Sequence, residues 1–361
     1  LSKIFPISFK RAQHCAVRLG ELSKNAGKYG VEMHDFFLHE AQAQLQLALF
    51  GMDEKFMNST NQSIRQVFNG TYPDPDKHFG SQMVLDMLKK VGENDAFATA
   101  TDIDVINGTK DVFGPLSKAV VNASKDLNMN LYDQFGNMLL ILFAGHDTTA
   151  HTMTWLTYEL ARNPTYLKRV QKEVDDMFQG LNGQPMKYED CAKLPFLTKC
   201  IMETLRKWTA VPNGTFRELQ YDDEIHGPGG KMVELKKGTY VQVVNWMRHR
   251  NPTLWGDDVN EFNPDRKWQG NEIWGMSSDA DSNGEGAFHG SNPASPRFSP
   301  FTFTPRDCLG KNFAQMEMRT ILANVFHKYD FILSEPYADE NIQKNGFIEN
   351  VKGTMGPRDM T

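Results

Sequence analysis

Residues 131–163 read LYDQFGNMLLILFAGHDTTAHTMTWLTYELARN, thirty-three residues without a proline, and Pro164 follows. A proline-free run bounded by a proline reads as one helix, ~50 Å long at ~1.5 Å per residue, enough to cross a whole domain. Its middle, MLLILFAG, is apolar all round, so the helix is expected at the centre of the fold. A polar string, Ala144-Gly145-His146-Asp147-Thr148-Thr149, interrupts that apolar middle. Burying an acid and two threonines is costly unless they are satisfied. Thr148 is expected to bond back to the carbonyl of Ala144 and loosen the helix locally. Gly145 lets a ligand approach the backbone. Acid beside alcohol makes a short proton relay from solvent to a buried oxygen species. The plain alternative is an accidental polar kink, and His146 is read as a satisfied structural histidine.

Towards the N-terminus, Leu1 to Leu22 is amphipathic and basic, and Glu32 to Phe50 is a second apolar-periodic stretch ending at Gly51. Residues 69–80 (NGTYPDPDKHFG) read as a loop. Towards the C-terminus, Leu167 to Phe178 reads as a charged helix and Phe196 to Trp208 as another. Asp222 to Val244 holds short β-like runs split by Gly-Pro-Gly-Gly and Lys-Lys-Gly. Residues 269–297 are rich in Gly, Ser and Asn and read as an irregular meander or insertion. A last helix is expected from about Lys311 to Tyr329, and Asn350 to Thr361 reads as an unfinished hairpin. No internal repeat is visible. The expected fold is mainly α with a minor β part.

Composition sets bounds on function. The 361 residues are 40% hydrophobic and 23% charged, an ordinary globular balance, and the net charge of −6 gives no reason to expect nucleic acid. The four cysteines, Cys15, Cys191, Cys200 and Cys308, lie far apart, which argues against a disulfide framework and a structural zinc. Six N-x-S/T sequons occur and are read as chance in an Asn-rich chain. No stretch approaches the ~20 apolar residues that span a bilayer. The chain starts at Leu1 rather than Met, so it is expected to begin inside a longer protein with room for an anchor upstream.

Among the cysteines, Cys308 is singled out by its neighbours: Phe301-Thr-Phe-Thr-Pro-Arg306-Asp-Cys308-Leu-Gly310, just before a helix. Amide N–H groups at a helix N-terminus stabilise a thiolate. Gly310 is expected to allow a tight turn. Taken alone, a lone cysteine is more often a small buried hydrophobe. Elsewhere, Glu203 and Arg206 share one helix face, by itself a weak ion-pair pattern.

These strings resemble the cytochrome P-450 family. Phe301, Arg306, Cys308 and Gly310 match its haem-binding loop, and Ala314 and Glu317 match the helix after it. Thr304 departs: it stands where the family usually has a glycine that turns the loop beneath the haem. Ala144 to Thr149 is similar to the family's oxygen-activation motif, Glu203 to Arg206 to its Glu-x-x-Arg pair, and Phe262-Asn-Pro264-Asp-Arg266 to the loop feeding a second arginine to that pair. The four motifs follow the family's order and together are far more specific than any one. The resemblance runs from near Leu1 to the C-terminal end, with the family's N-terminal part and its last residues absent.

The resemblance implies one cytochrome P-450 domain over residues 1–361, with a long helix over haem b (iron protoporphyrin IX). It implies Cys308 as axial iron ligand, and Ala144, Gly145, Phe301 and Gly310 as haem neighbours. Arg306 and Arg217 become propionate partners, although a surface arginine is an equal reading of Arg217. Asp147 and Thr148 become the catalytic acid and alcohol, and Glu203, Arg206 and Arg266 a buried structural triad. The implied activity inserts one oxygen atom from O2 into an apolar or lipid-like substrate, with electrons from NADPH through a flavoprotein reductase. Lys10, Arg11, Arg18 and Lys311 are candidate reductase contacts, or else a solvated helix face. The implied place is the cytoplasmic face of the endoplasmic reticulum membrane. Two alternatives stay open: a haem-thiolate isomerase or dehydratase, and a truncated, non-catalytic haem-binding protein.

Overall fold

The computed structural model describes residue 1 and residues 4–50, 123–124, 126–269, 272–273, 295–303, 306–334 and 337. The expected loop at 69–80, most of 269–297, Thr304 and the hairpin at 350–361 lie outside them. The elements, in chain order, are α1 (Phe5–Asn25), α2 (Met33–Phe50), α3 (Leu131–Arg162), α4 (Pro164–Gly180) and α5 (Pro195–Lys207). Then come β1 (Thr215–Glu218), β2 (Asp223–His226), β3 (Met232–Leu235), β4 (Tyr240–Val243), α6 (Asn245–His249), α7 (Pro252–Trp255) and α8 (Lys311–Lys328).

The long helix is α3, and its ends follow from local chemistry. Asn130 accepts from the Asp133 amide while the Asp133 carboxylate accepts from the Asn130 amide, a closed capping box. At the other end Asn163 leaves helical geometry and Pro164 starts α4 as its first residue. Leu142, Ala150, Met153, Leu156 and Leu160 are fully buried on one side of α3. The opposite side differs from the expectation of a helix covered all round: Leu140 is 61% exposed and Ala144 is exposed.

α1, α2, α3, α5 and α8 share one continuous core that runs from Ile4 to Phe326. α8 is its most enclosed member. From Phe313 to Phe326 nearly every residue is buried, including Gln315, Glu317, Arg319 and Thr320. The β part is two separate antiparallel pairs, β1 with β4 and β2 with β3. Gly214 enters β1 at φ +66°, and a Cβ there would sit 1.8 Å from the carbonyl oxygen of Val243, so only glycine fits this crossing. Among the described residues no helix is long and apolar enough to cross a membrane.

Candidate functional site

The loop before α8 is built by its own backbone. The Cys308 amide donates to Phe301 O (2.9 Å) and the Arg306 amide to Phe303 O (3.0 Å), folding 301–308 back on itself. Thr302 takes φ +64° and holds the turn by donating its hydroxyl to Arg306 O (2.8 Å). Gly310, expected to make the tight turn, instead has φ −85° and ψ 3° and serves as the N-cap of α8. Among the described residues of the loop, the left-handed position is Thr302.

Cys308 is the one exposed cysteine of the four; Cys15, Cys191 and Cys200 are buried. Although the residue reaches solvent, the protein packed around its sulfur raises the thiol above its ordinary value, burial being the largest cause. Exposure governs access to the sulfur, and crowding governs its charge. The backbone N–H groups of Gly310 and Lys311 and the Lys311 ammonium work in the opposite direction. Phe301 is half-buried against the core, and Arg306 is exposed.

On α3, Thr148 donates to Ala144 O (2.9 Å) and Thr149 to Gly145 O (3.1 Å), the back-bonding that polar residues inside a helix require. His146 is buried and bonded to Leu142 O (2.6 Å), and burial lowers its pKa. Asp147 and Thr148 are half-exposed on the open side of α3 with Leu140 and Ala144. Gly145 faces protein: a Cβ there would lie 2.6 Å from Leu45 Cδ2, so its missing side chain lets α2 approach the helix. Burial pushes the Glu317 carboxyl of α8 well above the usual carboxylate range. Among the described residues neither Glu317 oxygen has a geometric hydrogen-bond donor, and Thr149 beside it works against the shift.

The structure brings Glu203, Arg206 and Arg266 together. Arg206 donates through Nε and Nη2 to the two Glu203 oxygens (2.8 and 2.7 Å), and Arg266 reaches the same carboxylate at 3.3 Å. Glu203 and Arg206 are fully buried. Arg206 also donates to the carbonyls of His249, Val259 and Glu261, tying α5 to the segment around α6 and α7. Asp258 joins as a fourth member, 2.6 Å from Arg266. The sequence reading missed Asp258; its one signal is an acid eight residues before Arg266.

Arg217 lies on β1 and donates to its neighbour Phe216 O. Neither Arg217 nor Arg306 has an acidic partner among the described residues. A third arginine was not foreseen: Arg248 on α6 donates to Asn245 and Ser299 and lies over the Phe303 ring at 5.4 Å. The clustering of Arg248-His249-Arg250 was its only signal. The basic surface expected for a partner is smaller than its sequence. Arg11 and Arg18 converge on the fully buried Glu40 (2.9 and 2.7 Å), and Lys311 pairs with Asp307. A cavity of about 240 Å³ lies elsewhere, between Leu19, Met33, Tyr158 and Phe331, and contains none of the residues singled out from sequence.

These residues fit haem. An accessible sulfur stands at the amino end of α8, α3 keeps one partly apolar side uncovered, and arginines without carboxylate partners suit propionates.

Comparison with known proteins gives the same direction. The family model described as Cytochrome P450 matches residues 116–355. The Arabidopsis thaliana protein named cytokinin hydroxylase is 36% identical over 199 residues, 54% of this chain and 32% of that protein. The Rattus norvegicus protein named cytochrome P450 4V2 is 34% identical over 227 residues, 60% of this chain and 38% of that protein. The matched part thus spans about a third of the length of these curated relatives. A crystal structure of a cytochrome P450 (CYP102L1) superposes with a TM-score of 0.64 at 20% identity, covering 92% of this chain and 71% of that one, which shows the fold. Because the family match extends over most of the chain and takes in both α3 and the Cys308 loop, the chain belongs to the cytochrome P450 family, whose fold carries haem b.

Proposed function

We propose that the protein is a haem-thiolate monooxygenase that inserts one oxygen atom from O2 into an apolar organic substrate. The observation that carries this reading is the presence of both an exposed Cys308 at the amino end of α8 and an acid and an alcohol, Asp147 and Thr148, on the open side of α3. When bound, the haem supplies a redox-active iron that activates oxygen. Cys308 Sγ would hold the iron, helped by the amides of Gly310 and Lys311, which favour the charged sulfur. Arg306 and Arg217 would pair with the propionates. Asp147 carries protons inward and Thr148 hands them on through its hydroxyl. The exposed Leu140 and Ala144 present an apolar wall that excludes water. Glu203, Arg206, Arg266 and Asp258 hold the chain around α6 and α7 in place.

The same reading assigns electrons to NADPH through a flavoprotein reductase. It places the enzyme at the cytoplasmic face of the endoplasmic reticulum membrane, by its resemblance to the microsomal type. A haem-thiolate isomerase or dehydratase has no use for the Asp147–Thr148 relay, which disfavours it.

The test is the absorption spectrum of the haem-loaded, dithionite-reduced protein under carbon monoxide. A red-shifted Soret band that disappears in Cys308→Ala is expected. Absence of haem uptake, or a band indifferent to Cys308→Ala, overturns the reading. Product that forms equally well without oxygen would point instead to the isomerase class.

A further inference from the structure

The open side of α3 does not stop at Thr148. One turn on, His151 places Nδ1 2.7 Å from Asp147 O and 3.6 Å from Asp147 Oδ1. Both side chains are partly accessible, 24% for His151 and 37% for Asp147. The His151 ring meets the ring of His34 edge-on, centroids 4.6 Å apart. His34 is buried at the start of α2, and next to it Glu32 and Asp35 reach the surface, with one His34 ring nitrogen and one oxygen of each carboxylate within 4.8 Å of one another. Glu32 also accepts from the amides of His34 and Asp35, so it fixes the first turn of α2 and with it the His34 ring.

We propose, resting on the monooxygenase reading above, that His151 is the positioning residue of Asp147 and a proton donor to it, with the buried His34 as its neighbour on α2. With Nδ1 donating to Asp147 O, the Nε2 of neutral His151 is an acceptor. A proton taken from solvent at Nε2 makes the imidazolium. Loss of the Nδ1 proton to Asp147 Oδ1 then leaves the neutral Nε2–H tautomer, and exchange with solvent restores the Nδ1–H tautomer before the next transfer, with the charge sum unchanged at each transfer. The protonated Asp147 supplies Thr148. The groups facing His151 are Asp147 and His146 on its own helix, and His34 with Glu32 and Asp35 behind it from the start of α2. Nothing in the relay through Asp147 and Thr148 alone requires an imidazole at this position.

Two measurements test this. The first uses no turnover: the ring 15N resonances of His151 are recorded by NMR in the parent and in Asp147→Asn. Loss of the neighbouring carboxylate should move the Nδ1 resonance; an unchanged resonance overturns the proposal whatever the enzyme does. The second is product formed per NADPH oxidised, with dodecanoic acid and testosterone as apolar probes, in the parent, His151→Gln and His34→Gln. Glutamine keeps an N–H that can bond Asp147 O but cannot relay a proton. His151→Gln should therefore lose about tenfold in coupled product, with peroxide rising in its place and with the pH dependence of the parent flattened, and His34→Gln should lose less. If His151→Gln couples as well as the parent, the histidine only braces the helix and the proposal falls. If the parent itself makes no oxygen-dependent product, the monooxygenase reading fails, and the NMR comparison still decides the His151–Asp147 contact.

Discussion

Replacing Glu203 by glutamine keeps the shape of the side chain and removes its charge. In the parent, one carboxylate takes two bonds from Arg206 (2.8 and 2.7 Å), two long ones from Arg266 (3.4 and 3.3 Å) and one from the Asn263 amide (3.0 Å). Arg206 is 0% exposed, and in Glu203→Gln its guanidinium keeps one neutral amide oxygen and backbone carbonyls but no counter-charge from residue 203. Stranding a buried charge in this way costs about 3–5 kcal/mol. With unfolding entropy of about 2.1 cal/mol/K per residue over 361 residues, each kcal/mol moves the melting point by about 1.3 °C, so a fall of about 4–7 °C is expected. Asp258→Asn is the control. Its side chain is 46% exposed, so solvent screens the pair with Arg266 and a loss of only about 0–1 kcal/mol is expected. The assay is thermal unfolding by far-UV circular dichroism on all three proteins. If Glu203→Gln melts within a degree of the parent, or no lower than Asp258→Asn, the carboxylate is not the anchor of this cluster.

Acid should destabilise the fold through His249. Burial lowers its pKa to about 3, and the Ser299 amide donates to its Nε2 (3.2 Å), a bond only the neutral ring accepts. The unfolded chain takes up this proton near pH ~6.5, so the stabilising contribution is complete above that pH. It falls by about 1.4 kcal/mol per unit down to the folded pKa of about 3. His249→Gln should flatten the pH dependence of the urea midpoint by one proton's worth, and an unchanged slope would contradict the assignment. Gly214→Ala combines a left-handed backbone with a Cβ 1.8 Å from Val243 O. It should cost at least about 2 kcal/mol in the same melts, and a melt matching the parent would show that the β1–β4 crossing relaxes freely. Gly145→Ala should be destabilising by about 1 kcal/mol, overpacking against Leu45 outweighing better helix propensity. In a Leu45→Ala background the sign should reverse, and a cycle without that reversal would rule out the contact.

The helices were legible because their ends carry chemistry. Asn130, Asp133, Asn163 and Pro164 bracket α3 in the sequence as they do in space. β2, β3 and β4 were legible from the glycines that separate them, whereas β1 lies before the stretch read as β-like. The Glu203, Arg206 and Arg266 grouping was legible only through resemblance, because the bare i, i+3 spacing of an acid and a base cannot tell an exposed pair from a buried one. Other features left no trace. Glu40 lies 29 residues from Arg11 and 22 from Arg18, so nothing local marks them as partners. α8 buries Gln315, Glu317 and Arg319 alongside its apolar residues, which erases the contrast that periodicity needs. Thr302 holds a left-handed backbone that favours glycine or asparagine, and the turn was therefore expected at Gly310. The uncovered side of α3 was hidden for the opposite reason. An apolar helix looks the same in sequence whether protein or a bound group covers it.

The contact between α1 and the end of α8 bears on how the chain is made. Tyr329 donates its hydroxyl to Ala16 O (2.7 Å) across 313 residues, and the ring stands so close to Gly20 that a Cβ there would meet the Tyr329 oxygen at 2.2 Å. On a ribosome adding about 5–20 residues per second, α1 therefore waits about 15–60 s for the residue that closes over it. During that interval α2, which follows within eight residues, is the early neighbour among the described residues able to shield Phe5, Phe9 and Leu19. The bonds from Arg11 and Arg18 to Glu40 then act as a temporary clasp on a nascent helical hairpin, holding its apolar side in register until α8 emerges.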